Sequence, residues 1–314
     1  LLACLNAHRP LHLGHHGLTV SPPPPRYCMN LIVGAIIVIG CVLGGYVLHH
    51  GDLRVLWQPT EVIIIGGAAL GAFIIANRGH IIKGVLSGVM GLFKGEKYSK
   101  AFYTDLLIML YATFKAAKTK GVLALESHIE DPYSSEFFKK FDTIAQDHHL
   151  MDFFTDYLRL ITMGTTNPNQ MEDLLNAELD AHHKEAHQIP AAISAVADGM
   201  PALGIVAAVL GVIVTMGSID QPPTVLGKLI GAALVGTFLG VLLSYGYIAP
   251  MATAVNARAE AEGRVYEVIK IAIVAYLQGH APAVAVEFAR KTIFHEHRPT
   301  FGEVEEKLQN APAL

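Results

Sequence analysis

Histidines are the residues whose number and spacing come closest to a metal site in this sequence. The chain contains 16 of them, and His183 and His187 stand at i and i+4, so one face of a helix would carry both. Zinc proteases with this spacing need a glutamate directly after the first histidine, whereas this chain has Lys184 there. We therefore interpret the pair as part of a solvated helix face and expect no metal site.

Other residues that could support catalysis are not arranged for it. The cysteines form no CxxC pair, which argues against a zinc site and a disulfide framework. A nucleotide-binding loop is not encoded either, because no Lys-Ser/Thr ending follows Gly84, Gly88 and Gly91. The formal net charge of -4 offers no basic field for nucleic acid. We expect no enzyme activity, no catalytic residue, no cofactor and no nucleic-acid partner.

The elements that position any functional residue are predicted to be membrane helices. The composition is 52% hydrophobic and 16% charged, more apolar and less charged than soluble domains are. A bilayer core needs about 20 apolar residues in a helix. Four segments meet or approach that length, namely 31–48, 62–76, 201–218 and 229–248. The sequence therefore predicts an all-α, polytopic membrane protein with four transmembrane helices and a helical cytoplasmic domain.

Residues 1–28 are predicted to be an unstructured extension. The prolines of the tract at 21–25 lack backbone donors and favour an extended polyproline conformation, so we expect no helix before Met29. A signal peptide is a rival interpretation of 26–48, because Arg26 precedes an apolar run. No Ala-x-Ala site follows that run, so we prefer a retained anchor.

Lysines and arginines predict the orientation, because they are retained on the cytoplasmic side of a membrane. The two short connections, 49–61 and 219–228, hold only Arg54 and Lys228. The basic residues that follow the second and fourth spans are Arg78, Lys83, Lys94, Lys97, Lys100, Arg258, Arg264 and Lys270. Both termini and the central segment are therefore expected in the cytoplasm.

The central segment is predicted to be a helical lobe. Its apolar residues recur at helical spacing, for instance Leu106, Leu110 and Phe114. A turn is expected at 167–169, followed by a polar helix over 171–187. The predicted organisation is two spans in 29–79, a cytoplasmic helical domain in 80–198, two spans in 199–250, and a cytoplasmic C-terminal helix and tail in 251–314.

The predicted spans carry hydroxyl groups but no carboxylate. A transporter of protons or cations normally places an ionisable residue at membrane depth, whereas these helices supply Thr215, Thr237 and Ser244. Either the chain conducts no ion or a partner supplies the carboxylate. Small residues recur at helical spacing and favour close packing without indicating a function; the pairs are Gly40 with Gly44, Gly67 with Gly71, Ala207 with Gly211 and Gly236 with Gly240.

Several motifs together resemble the signature of the MotA stator family. They are DGMPALGIVAAVLG at 198–211, VGTFLG at 235–240, YIAP at 247–250 and KTKGVLALE at 118–126. The likeness extends from Met29 to about residue 300. It implies a subunit of the bacterial flagellar motor, in the inner membrane, that forms an ion channel with the single-span, peptidoglycan-anchored MotB and turns ion flow into torque. It also implies a pentamer around two MotB chains, whose aspartate carries the ion.

The resemblance implies roles for four residues along the ion path. Pro201 and Pro250 correspond to family prolines that couple protonation to movement, and proline can kink a helix. Thr237 corresponds to a threonine that faces the MotB aspartate. Ala208 stands where sodium-driven relatives tend to carry a threonine. Because a methyl group cannot coordinate sodium, we expect protons, with sodium as the alternative.

Two charged residues, Lys118 and Glu126, are implied to contact the rotor protein FliG. On a continuous helix their spacing would place them about 80° apart, so both could face one partner. The family more often has arginine at the first position. Lysine keeps the charge but loses bidentate pairing, so the rotor contact is expected to be weaker or more salt-sensitive.

Two other functions stay open at this point. An energiser subunit of the ExbB or TolQ type also uses a partner aspartate, but it has three spans and an outer N-terminus. An unrelated membrane transporter would need a carboxylate or metal ligands inside its spans. The working hypothesis is that protonation near Thr237 moves the third and fourth spans about Pro201 and Pro250, and that the lobe transmits this movement to the rotor.

Overall fold

The computed structural model describes residues 26–312, and all regular structure in that range is helical. Contacts divide the chain into two compact units. The first unit holds the residues up to Gly95 together with 186–258, and the second holds 96–185 together with the residues from Ala259 onward. The predicted all-α class is confirmed.

The first unit contains the spanning helices. Its elements are α1 (Arg26–Leu48), α2 (Leu53–Leu56), α3 (Pro59–Ala76), α4 (Gly79–Gly91), the C-terminal part of α9 (Pro168–Met216), α10 (Pro223–Leu243), a π-helical turn (Ser244–Ile248) and the start of α11 (Ala249–Leu277). Four helical segments of the described chain are long and apolar enough to cross a bilayer, which confirms the predicted number of spans.

The helix that carries the first span starts earlier than predicted. Helix α1 begins at Arg26, three residues before Met29, because nothing in residues 26–28 interrupts helical hydrogen bonding once the proline tract has ended. The interpretation of residues 1–25 as an unstructured extension falls outside the described range.

The apolar surface of the spanning helices is largely uncovered within one chain. Ile36, Ile63, Ile75 and Val214 are all exposed, and they lie on three different spans. Such a surface is unfavourable in water but compatible with lipid, where all backbone polar groups are already bonded inside the helices. The burial pattern therefore agrees with spanning helices.

Helices α9 and α10 approach each other so closely at several glycines that a side chain at those positions would clash. A methyl group at Gly240 would lie 2.9 Å from Cα of Gly204, and one at Gly211 would lie 2.7 Å from Cβ of Ala233. The small-residue spacing thus serves packing on these two helices. A methyl group added at the glycines of α1 and α3 in the same pattern would meet no described atom of another residue within 4 Å beyond its own helix backbone; these are Gly40, Gly44, Gly67 and Gly71.

The second unit is a helical lobe around α5 (Lys100–Lys120). Helix α5 begins where the hydroxyl of Ser99 accepts a hydrogen bond from the N–H of Phe102. Leu106, Leu110 and Phe114 are at most 1% exposed, as their spacing predicted. They share one core with α8 (His148–Thr162), α11 and α12 (Pro282–Thr292).

Short elements complete the lobe. They are the 3₁₀ turns Val122–Leu125 and Phe138–Phe141 and the helices α6 (Glu126–Glu130), α7 (Asp142–Ala145) and α13 (Phe301–Gln309). The carboxamide oxygen of Asn167 accepts from the N–H of Asn169 at 3.0 Å, which starts α9 at Pro168. Helix α9 then continues through Pro190 and Pro201 to Met216, where the sequence pattern had predicted separate helices.

Candidate functional site

Thr237 and Ala208 lie where α9 crosses α10 in the first unit. A methyl group at Gly236 would lie 3.1 Å from the backbone nitrogen of Ala208, and one at Gly204 would lie 3.3 Å from Cα of Thr237. The two glycines therefore bring the backbones together and place these predicted ion-path residues at one crossing. Ala208 is buried and Thr237 is partly exposed.

The hydroxyl of Thr237 is available for an external group. Thr215, on the spanning part of α9 (residues 201–216), donates to the carbonyl oxygen of Gly211 at 2.8 Å, as an isolated helical threonine usually does. Thr237 makes no such bond to any of residues 26–312. Its hydroxyl can donate to a carboxylate or bind a hydrated ion, which is the chemistry predicted for this position.

Pro201 lies inside the continuous helix α9. Proline has no N–H, so it leaves the carbonyl oxygen of Ala197, four residues earlier, without its helical donor. The hydroxyl of Ser244 donates to that oxygen at 2.6 Å, and Ser244 is fully buried. A hydrogen bond between two helices therefore replaces the bond that Pro201 removes.

Pro250 lies within a continuous helical run as well. Helix α10 passes into the π-helical turn that begins at Ser244, and α11 follows directly with Pro250 as its second residue. Such turns carry an extra residue and locally widen a helix. The hydroxyl of Tyr247 in this turn donates to the carbonyl oxygen of Ala35 on α1 at 3.3 Å. Two irregular helix segments, at Pro201 and before Pro250, are thus joined through Ser244.

The prediction that the spanning helices carry no carboxylate is wrong. Helix α3 begins at Pro59, so Glu61 belongs to its first turn and not to the connection before it. Its side chain is buried, with 6% exposure. The predicted span began at residue 62 and left Glu61 in the connection. Two signals favoured an earlier helix start, namely proline at the first helical position and the shortness of the predicted span.

Lys118 and Glu126 do not share a continuous helix, which corrects the predicted 80° relationship. Helix α5 ends at Lys120, Gly121 adopts a positive φ of 86°, and Glu126 begins α6 after a 3₁₀ turn. Glycine is the residue that tolerates this conformation and so stops the helix. Both charged side chains are exposed, and neither forms an ion pair within the described chain.

Histidine, cysteine and acidic side chains do not gather into a metal-binding group of three or more anywhere in residues 26–312. His183 instead packs against the backbone of Gly263 on α11 in the second unit, where a methyl group would lie 3.0 Å from its ring.

Comparison with known proteins places the sequence in a family. Residues 32–121 match the family described as Motility protein A N-terminal, and 145–268 match the MotA/TolQ/ExbB proton channel family. The chain is 44% identical to the Motility protein A of Salmonella typhimurium, covering 90% of this chain and 95% of the relative. It is 35% identical to the chemotaxis protein LafT of Vibrio parahaemolyticus, covering 89% and 98%.

Solved structures show the same fold at lower sequence identity. MotAB of C. jejuni matches with a TM-score of 0.70 and 18% identity, over 87% of this chain and 99% of that one. The flagellar MotAB stator complex of Bacillus subtilis matches with a TM-score of 0.67 and 24% identity, over 85% and 97%. The chain therefore belongs to the MotA family of motility proteins, within the MotA/TolQ/ExbB proton channel family.

Proposed function

We propose that this chain is the ion-conducting stator subunit of a flagellar motor and that it works with a single-span, MotB-type partner in the bacterial inner membrane. The observation that carries the proposal is the free hydroxyl of Thr237 at the α9–α10 crossing, next to the buried Ala208. The partner's aspartate would take up the ion beside this hydroxyl. The solved relatives named above are complexes of MotA with MotB, which supports this choice of partner.

The transported ion is a proton in this proposal. A sodium site needs several oxygen ligands, and the methyl group of Ala208 supplies none. One threonine hydroxyl suffices to hold a carboxylate that binds a proton. Both termini and the lobe lie in the cytoplasm, because the two short connections hold only Arg54 and Lys228 of the chain's 23 lysines and arginines.

Movement in this proposal starts at the irregular segments near the two prolines. Neutralising the partner's aspartate removes its charge-assisted hydrogen bond with Thr237, so the spanning part of α9 and the end of α10 can shift. Pro201 and the turn before Pro250 are the places where the backbone ladder is already interrupted. Lys118 and Glu126 present unpaired charges to FliG, and five copies of the chain surround two MotB-type chains.

Swimming speed tests this proposal. Cells that lack their own stator would receive this chain with a MotB-type partner, first without sodium and then with a protonophore. We expect swimming that does not require sodium and that stops with the protonophore. Thr237→Ala should reduce swimming strongly and Thr237→Ser should restore it, since serine keeps the hydroxyl. Sodium-dependent swimming would contradict the choice of ion, and no swimming despite membrane insertion of both chains would contradict the function.

A further inference from the structure

Glu61 occupies a slot that two glycines leave open in the spanning unit. A methyl group at Gly236 would lie 2.5 Å from Oε2 of Glu61, and one at Gly211 would lie 3.8 Å from Oε1. The two glycines belong to different helices, α10 and α9, and the glutamate comes from a third, α3. Any larger residue at Gly236 would fill the space of the carboxyl group.

The carboxyl group in this slot has no partner in the described chain. Oε2 is fully buried and forms no hydrogen bond. Glu61 is carried or flanked by α2, α3, α10 and the spanning part of α9. Besides Glu61, these segments hold two ionisable side chains, Arg54 and Lys228. Neither forms an ion pair with Glu61 among the described residues. An unpaired ionised carboxylate at membrane depth is unfavourable, so the group needs a cation to remain buried.

The slot adjoins the proposed ion site. Gly236 separates the carboxyl group from the backbone of Ala208, and Thr237 is the next residue along α10. Intramembrane ionisable residues are rare and usually mark ion pathways. The smallest cation that the buried Oε2 can bind without further oxygen ligands is a proton.

We propose that Glu61 is a second proton-binding carboxyl of the ion path, which takes up a proton at the α9–α10 crossing and releases it as the partner's aspartate turns over. The inference rests on the proposed function and adds an ion-binding residue that this chain itself contributes. The step forms and breaks one O–H bond and needs no other reactant. Glycine at 211 and 236 leaves the room between α9 and α10 that the carboxyl group occupies.

The first test is chemical and does not depend on motility. Membranes that contain the full chain with its MotB-type partner would be treated with dicyclohexylcarbodiimide, which reacts with protonated carboxyl groups in apolar surroundings, and the modified residues would be identified by mass spectrometry. We expect modification of Glu61 at acid pH and its loss at alkaline pH. The exposed Glu305 on α13 serves as an internal control that should stay unmodified. An unmodified Glu61 at every pH would overturn the inference.

The second test separates this inference from the proposed function. Swimming would be compared for the native chain, Glu61→Gln and Glu61→Asp at equal membrane levels of both subunits. We expect Glu61→Gln to lose most of the swimming speed and Glu61→Asp, which can still bind a proton, to keep part of it. Full speed for Glu61→Gln would overturn the role of Glu61 and leave the proposed function standing. A native chain that inserts but does not drive swimming would overturn both.

Discussion

The hydroxyl of Ser244 donates a hydrogen bond to the carbonyl oxygen of Ala197 at 2.6 Å, at the one place where Pro201 leaves that oxygen without its helical donor. The two residues are 47 positions apart in sequence. Ser244 is also the first residue of the π-helical turn between α10 and α11. A single buried hydrogen bond therefore connects the interrupted backbone of α9 with the widened turn of the next span.

This relationship predicts a non-additive pair of mutations. Ser244→Ala should destabilise the protein by about 1–3 kcal/mol, because it leaves the buried oxygen of Ala197 unsatisfied. In a Pro201→Ala background the restored N–H of residue 201 can donate to the carbonyl oxygen of Ala197. Ser244→Ala should therefore lower the free energy of unfolding much less in that background. Thermal unfolding of the four combinations in detergent would measure the coupling.

Thr215→Ala is the matched control for the serine change. The hydroxyl of Thr215 donates within its own helix, to an oxygen that already has a helical donor, so its loss should have little effect. If Ser244→Ala lowered the stability equally with and without Pro201, the two residues would be independent. Swimming measured on the same variants would report whether the bond contributes to torque.

Gly236→Ala is predicted to disrupt the α9–α10 crossing. The added methyl group would lie 2.5 Å from Oε2 of Glu61 and 3.0 Å from Cβ of Ala207, so the helices would have to move apart at a cost of about 1–3 kcal/mol. Gly231→Ala on the same helix meets no described atom within 4 Å and is the matched control. Equal stability of the two variants in detergent would argue against the close approach.

Acid stability is predicted to depend on Glu287 and Arg290 in the second unit. The guanidinium of Arg290 donates to both carboxylate oxygens of Glu287, at 2.6 and 2.7 Å, and these bonds hold the pKa of Glu287 below its usual value. A lowered pKa means that the folded state binds fewer protons than the unfolded state. The stabilisation is therefore fully present above the usual glutamate pKa and is lost as the pH falls through the folded one.

Glu287→Gln tests this pH dependence. The variant should unfold more easily at neutral pH, by about 2 kcal/mol, and should lose less stability on acidification than the native chain. Glu305→Gln at an exposed position is the control and should follow the native profile. Parallel acid profiles for the native chain and Glu287→Gln would show that the ion pair contributes nothing to acid stability.

Lys118→Arg is predicted to strengthen the proposed rotor contact. Arginine can form two parallel hydrogen bonds with a carboxylate, whereas lysine acts as a point charge. Swimming of the variant should therefore fall less with increasing intracellular salt than that of the native chain. Lys118→Glu should abolish swimming without affecting membrane insertion, since the exposed side chain makes no ion pair in the described chain. Normal swimming of Lys118→Glu would exclude this residue from the contact.

The sequence by itself determined the number of spans and the helical nature of the lobe. A bilayer requires long apolar runs, and the buried positions of α5, such as Leu106 and Leu110, repeat at helical spacing, so both features are local in sequence. The MotA-type motifs were equally readable, because they are contiguous segments. Such features can be predicted without knowing which residues pack against them.

Only the tertiary structure decided which polar groups are buried and what they contact. From the sequence, Glu61 was assigned to a connection. In the structure α3 begins at Pro59, and Glu61 lies against glycines of two helices that are far away in the chain. Ser244 looked like one hydroxyl among several until it met Ala197, and Gly121 broke the helix that would have aligned Lys118 with Glu126. Burial and hydrogen bonding depend on neighbours that are far away in the chain, and a sequence pattern describes only the residues nearby.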